Sequence, residues 1–463
     1  MSIISSIWRI REIRPALSFS RGELPRFVRR SPIAMRFYAL LHFVDWERFP
    51  ERVSQAHWKA EATPYRAFVA AYLVKLEEQL GSMAQLRRFL CEHPELVWLL
   101  GFTTKRRFNA DKVLPTARHF TRLLRKMPAE CGQFLLDETV RCLSAKLPAD
   151  FATAVSLDTK HILAWVKENN PKAYVQERFD KTKQPKGDSD CKLGCKRRRN
   201  QSPQNATPHR NPRPASTVKA GIGEFYWGYA SGVVATKVPG WGEFVLAEFT
   251  QTFDASDVSY FESLMADVER RLGKKPRFGA FDAAFDAFYI YEYFARNTDW
   301  RAGFAAIPMT GRSTHREFDA DGHPLCAAGL SMHPAFTFVS RATRVEHERT
   351  HYVCPLKGQT CPIQHPRSAK GGCTHRIPTS IGARLRHQID RETSLYKEIY
   401  RQRTATERIN AQAVALGIER PHLRNQQAIA NQNTLIYVLI NLRALRRLGR
   451  SSTLNGQFQS GLM

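Results

Sequence analysis

No long hydrophobic run occurs anywhere in the 463 residues. Nothing reaches the ~18 apolar residues that a membrane-spanning helix needs. The longest late run, around Leu435 to Leu442, is short and flanked by arginines. The opening MSIISSIWRIREIRP has its apolar stretch broken by Arg9, Arg11, Glu12 and Arg14, so no secretory-signal core is expected there. Tight Cys-x-x-Cys pairs are missing, and nine cysteines, an odd number, argue against a secreted disulfide framework. No internal repeat is present. A soluble cytoplasmic protein is the expectation. Acidic residues are few beside the basic ones. Forty-three Asp and Glu face 70 Lys and Arg, a formal charge of +27. An excess that large points to a polyanionic partner, and nucleic acid fits best because Lys and Arg neutralise phosphates with counterion release.

What is present is a core-forming composition. The hydrophobic fraction of 43% is ordinary for a globular chain, and the length allows two or three domains. Residues 1–148 read as an all-helical N-terminal domain. Pro64 to Phe89 carries apolar residues at helical spacing, broken at Gly81-Ser82; His93-Pro94 restarts the chain, and Gly101 suits a C-cap. LPTARHFTRLLRKM adds a basic amphipathic helix. Arg87, Arg88, Arg118, Arg122, Arg125 and Lys126 either present a helix to a DNA groove or face water on a bundle.

From residue 149 the pattern changes. FATAVSLDTKHILAWV, GEFYWGYASGVVATKV and GEFVLAEFTQTF read as strands. A helix from Val258 to Leu272 follows, with Ser256 and Asp257 as candidate caps. Then come the strand RFGAFDAAF, the helix FYIYEYFARN and the strand GFAAIPM. Strands alternating with helices predict a mixed α/β sheet with flanking helices over residues 149–450. Two segments interrupt it: a basic loop at 180–220 and a Gly-, Pro-, His- and Cys-rich insertion at 311–380. Between Lys186 and Pro214 there are eight Lys or Arg and two acidic residues. The run Lys196, Arg197, Arg198 and Arg199 within it suits phosphate contact. One long helix is expected from Arg384 to Leu416, a final amphipathic helix from Ala428 to Leu448, and a flexible tail at 451–463.

Three carboxylates carry the chemistry. Asp158 sits in the strand TAVSLDTKHILAW, Asp282 ends the apolar run of RFGAFD, and Glu407 lies in a helical pattern. Asp286 competes with Asp282 and is read instead as the cap of the helix beginning near Ala287. Tyr400, Arg403 and Glu407, spaced by three and then four residues, share one helix face. Two strand-borne aspartates and one helix-borne glutamate in a very basic chain suit metal-assisted phosphodiester chemistry, where hard oxygens hold Mg²⁺ or Mn²⁺.

On these residues the chain resembles the DDE transposases of bacterial insertion sequences, with their RNase H-like catalytic domain. SLDTK looks like that family's first-aspartate strand, and FDAAFD like its second motif, with Asp282 followed three residues later by Phe285. Tyr400, Arg403 and Glu407 match the spacing of the third motif, whose closing lysine is here Val414. The resemblance implies that Asp158, Asp282 and Glu407 ligate two Mg²⁺ (or Mn²⁺) ions, and that Tyr400 and Arg403 position the scissile phosphate. It implies double-stranded DNA partners (terminal inverted repeats and target), a homodimer in the DNA complex, and action in the bacterial cytoplasm at the nucleoid. A transposase-derived DNA-binding protein without catalysis and a hydrolytic nuclease on the same fold stand as alternatives.

Cys326, Cys354, Cys361 and Cys373 lie within the insertion, together with His351, His365 and His375. Four thiolates there are a candidate structural Zn²⁺ set, which would staple a segment too polar to build a core. Cys191 and Cys195 form a second, weaker pair.

Overall fold

The computed structural model describes residues 14–51, 63–197, 223–295, 302–309, 317–341, 347–367 and 370–459. In chain order the elements begin with helices α1 (Arg26–Arg30), α2 (Pro32–Leu41), α3 (Tyr65–Glu77), α4 (Met83–Glu92), α5 (Pro94–Leu99), α6 (Ala110–Val113), α7 (Ala117–Lys126) and α8 (Ala129–Lys146). Strands β1 (Ala154–Leu163), β2 (Lys192–Arg197), β3 (Gly223–Val238) and β4 (Gly242–Thr252) follow, then α9 (Phe261–Leu272), β5 (Phe278–Ala280), α10 (Phe288–Phe294) and β6 (Phe304–Ala306). The chain closes with β7 (His333–Ser340), β8 (His347–Val353), β9 (Thr374–Pro378), α11 (Ile381–Gln388), α12 (Ser394–Arg401), α13 (Thr404–Ala415) and α14 (Gln426–Gln459). The protein is mixed α/β, and no described helix is long and apolar enough to cross a membrane.

Local chemistry explains the early helix boundaries. The Ser82 hydroxyl accepts from the Gln85 N–H while the Gln85 side chain accepts from the Ser82 N–H, a capping box that starts α4 at the expected break. Pro94 opens α5, and Gly101 follows its end with φ +87°.

The chain divides into two compact units that do not follow chain order. One comprises Met1–Phe151, Thr159–Lys274 and Ala405–Met463; the other comprises Ala152–Asp158 and Lys275–Thr404. The N-terminal helices therefore share a unit with β2 to β4 and α14. The reason is α14, whose run from Leu435 to Leu442 is buried on all sides rather than amphipathic. Helices α3, α7 and α8 and strand β4 surround it. Two of its buried asparagines bind backbone: Asn431 donates to the Leu124 and Met127 carbonyls, and Asn441 both donates to the Val245 carbonyl and accepts from the Val245 N–H. That grip lies beside a bulge in the antiparallel β3–β4 ladder, where the register shifts between Val234 and Ala235. The Leu246 carbonyl there accepts from Arg271. The helix continues through 451–459, where a tail was expected.

Strand β2 pairs antiparallel with β3, inside the segment expected to be a loop. Leu193 is buried, and Gly194 lies so close under the Phe253 ring that a Cβ would come within 2.3 Å of it. These small apolar contacts are hidden by the surrounding charge. The expected helix near 258 opens as a 3₁₀ turn, Asp257–Tyr260, before α9; Asp257 accepts from the Thr159 hydroxyl rather than capping a helix.

In the second unit, β1 pairs parallel with β5, and β5 parallel with β6. Helix α12 packs on β5 and β6, and α10 on α11. A separate antiparallel sheet, β7-β8-β9, occupies the insertion that showed no strand pattern. Its strands expose residues such as Phe336 and Val339, so no alternation of apolar and polar residues marks them.

Candidate active site

Asp158 lies on β1, and Asp282 follows β5, the parallel neighbour of β1. Ser156 pairs with Ala280 at the end of the β1–β5 ladder. Asp158 and Asp282 each lie two residues beyond that pair, Asp158 still within β1 and Asp282 just past the end of β5. Adjacent strands run about 4.8 Å apart, so the register sets the two residues near each other at the C-terminal end of a parallel pair. In open α/β sheets such ends are where ligands are bound. Val155, Leu157 and Phe281 are buried beneath them, while both aspartates are half-buried. Asp282 caps the 3₁₀ turn Ala283–Phe285: its Oδ1 accepts from the Ala284 N–H at 2.9 Å, which engages one oxygen of the carboxylate.

Asp286 is not a helix cap. Helix α10 begins after Ala287 with no side-chain cap. The Asp286 side chain is instead 1% exposed and held at two points by Arg386, with the Tyr291 hydroxyl donating to Oδ1 at 2.9 Å. Burial, and then the nearby Asp286 charge, push the Tyr291 phenol far up. Arg391 donates from Nη2 to the same Tyr291 oxygen and from Nε to the Ile307 carbonyl. Sequence reading missed this network. A buried acid needs a cation, but nothing local marks a partner 100 residues away.

The third motif is not one helix. Helix α12 ends at Arg401, residues 402–403 form a turn in which Arg403 N–H donates to the Tyr400 carbonyl, and Glu407 lies exposed in the first turn of α13. Tyr400 and Arg403 belong to the second unit and Glu407 to the first. Tyr400 and Arg403 do stand together. Phe304 stacks on Tyr396 (6.3 Å, 11°), Tyr396 on Tyr400 (6.0 Å, 9°), and the Arg403 guanidinium lies 5.9 Å from the Tyr400 ring centre.

No family model matches the chain, and a search of curated proteins finds no match. The residues alone must therefore carry the reading.

Among the described residues no three His, Cys, Asp or Glu side chains gather as a metal ion would require. The Asp158–Asp282 pair supplies two hard-oxygen donors, a fit for Mg²⁺ that is partial in itself. Of the basic run, Lys196 and Arg197 lie on β2; Arg198 and Arg199 fall outside the described residues. Arg87 is committed to structure, bound to the Pro115 and Asp111 carbonyls and to the Asp111 side chain. Arg118, Arg122 and Arg125 are exposed on α7 and line a concavity with Thr116, His119 and Thr121. In the insertion, Cys354, Cys361 and Cys373 are buried and Cys326 half-buried. Burial pushes the Cys373 thiol up, and Cys354, Cys326 and Cys361 are near enough to add to that.

Proposed function

We propose that the chain is a DDE transposase of an insertion sequence, cutting DNA at the element's ends and joining the freed 3′-hydroxyls to target DNA. The observation that carries this reading is the placement of Asp158 and Asp282 at matching positions past the β1–β5 ladder. The parallel β1–β5–β6 set and the antiparallel β3–β4 pair support an RNase H-like sheet. The charge of +27 supports a DNA partner.

Asp158 and Asp282 would hold divalent metal with Glu407, which the reading adds on the strength of the Tyr-Arg-Glu spacing. Bound Mg²⁺ or Mn²⁺ would supply activation of the attacking oxygen and stabilisation of the leaving one. Arg403, oriented by Tyr400, would grip the scissile phosphate with its planar fork. The arginines of α7, with Lys196 and Arg197, would track the DNA backbone. Joining two ends calls for two copies of the chain on the DNA.

The test uses the full chain, Mg²⁺ and DNA carrying the sequences that flank its own reading frame. Wild-type protein should nick and join that DNA. Asp158→Asn and Asp282→Asn should reduce both to background and keep end binding in a gel shift. Cleavage by either variant at the wild-type rate would overturn the assignment. Cleavage without joining would mark a nuclease, and end binding without cleavage a DNA-binding protein.

A further inference from the structure

The β7-β8-β9 sheet is too thinly packed to hold itself together by burial. Its core consists of Met332, Tyr352 and Ile377 with Cys354 and Cys373, and Phe318, Cys326 and Leu356 pack against it. Two of the five core members are thiols. Three short strands with so small an apolar core normally need a staple.

The four cysteines come from four separate places, and three of them, Cys326, Cys354 and Cys373, take part in this core. Cys326 precedes β7, Cys354 ends β8, Cys361 lies in the loop that follows, and Cys373 leads into β9. Three of them open reverse turns: the Cys326 carbonyl accepts from Gly329 N–H at 2.9 Å, Cys354 from Lys357 at 3.3 Å, and Cys361 from Gln364 at 3.0 Å. The fourth follows Gly371 and Gly372, both with φ near +90° at +88° and +89°. A Cβ on Gly372 would lie 2.6 Å from the Cys354 Cβ and 3.2 Å from its Sγ, so the approach to β9 closes directly onto Cys354. Glycine at 372 is what permits this contact.

We infer that Cys326, Cys354, Cys361 and Cys373 together bind one structural zinc ion that ties the three strands and their loops together. Four sulfurs with no carboxylate among them select a thiophilic, tetrahedral ion over Mg²⁺ or Ca²⁺. Zinc–sulfur bonds are about 2.3 Å long, and the four thiols are not gathered around one point here, so binding requires them to close on the ion. A disulfide is the competing use of these thiols. The inference is independent of the transposase reading.

The test is the metal content of the full chain purified without chelator. About one zinc per chain is expected. Cys361→Ser and Cys373→Ser should each lower it at least about tenfold, and Cys195→Ser, at an exposed position of β2, should leave it unchanged. Thiol titration of native wild-type protein guards against a variant that fails to fold. A chelator should unmask the four insertion thiols, and the Co²⁺-loaded protein should show the strong absorption of tetrahedral thiolate ligation. Metal-free wild-type protein whose thiols react alike with and without chelator would overturn the proposal. So would zinc retained in both insertion variants, or a disulfide within the set.

Discussion

Arg386 grips Asp286 with two nitrogens, Nε donating to Oδ1 at 2.7 Å and Nη2 to Oδ2, inside the second unit. The hydrogen bond to Asp286, opposed by burial, raises the Arg386 pKa. The carboxylate is 1% exposed, so removing the arginine strands a buried charge. Arg386→Ala should destabilise the fold by about 3–5 kcal/mol. Arg386→Lys should recover only part of that, because a point charge cannot make both contacts. Urea midpoints measure this; an unchanged midpoint for Arg386→Ala would show that the pair is idle.

Glu248 is fully buried between Ser231, Thr250 and Thr434, whose hydroxyls donate at 3.1, 2.7 and 2.6 Å. Burial raises its pKa above the ordinary 4.5, against the pull of those hydroxyls and of Arg271. The folded state therefore holds its proton more tightly than the unfolded state does. The resulting stability is fully present below pH 4.5 and is lost as pH rises through the folded value. Glu248→Gln should flatten this fall, so its urea midpoint should change less than wild type between pH 5 and pH 8, taken as roughly the window above the ordinary value. An equal pH dependence in both proteins would contradict it.

Much of the local structure could be read from the sequence, because its causes are local. The Gly81-Ser82 break, the strand ending near Asp282 and the helix closing at Leu272 each follow from turn chemistry or periodicity. The single helix expected from Arg384 to Leu416 is three. Arg391 ends the first by donating to the Arg386 and Ile389 carbonyls, and Thr393 starts the second by accepting from Tyr396 N–H. A helical pattern cannot show where a side chain will satisfy a helix end. The burial of α14 and the partner of Asp286 were illegible for another reason: both depend on segments far off in the chain. At the site, the Asp158 and Asp282 strands were legible, but their shared register emerges only from the pairing of β1 with β5.

Asn441 illustrates such a distant dependence. Its side chain satisfies both the N–H and the carbonyl of Val245, at 2.9 and 2.8 Å, in the core of the first unit. Asn441→Leu keeps the branched shape and orphans two buried backbone groups. A loss of about 2–4 kcal/mol in unfolding free energy is expected. A loss under about 0.5 kcal/mol, the scale of a neutral surface change, would mean that the backbone finds other partners.

Arg403 is the cation at the Tyr400 end of the aromatic column Phe304–Tyr396–Tyr400, while Arg391 lies over Tyr396. If it grips the scissile phosphate, Arg403→Ala should slow DNA cleavage by about 100-fold or more. Arg403→Lys should remain well below wild type, since lysine loses the planar stack and the fork. Full cleavage by Arg403→Ala would remove the residue from the site.

The exposed arginines of α7 test the DNA reading independently of the carboxylates. Arg118, Arg122 and Arg125 line one concavity, with the Arg122 Nη2 3.2 Å from the His119 ring. Each phosphate contact contributes roughly 0.9 to the slope of log affinity against log salt. Replacing all three arginines by alanine should therefore reduce that slope by about 2–3 and weaken binding similarly across DNA sequences. Their outward position predicts little change in the urea midpoint. A salt slope equal to wild type would show that this surface faces water in the complex, and would move the DNA path to other basic residues.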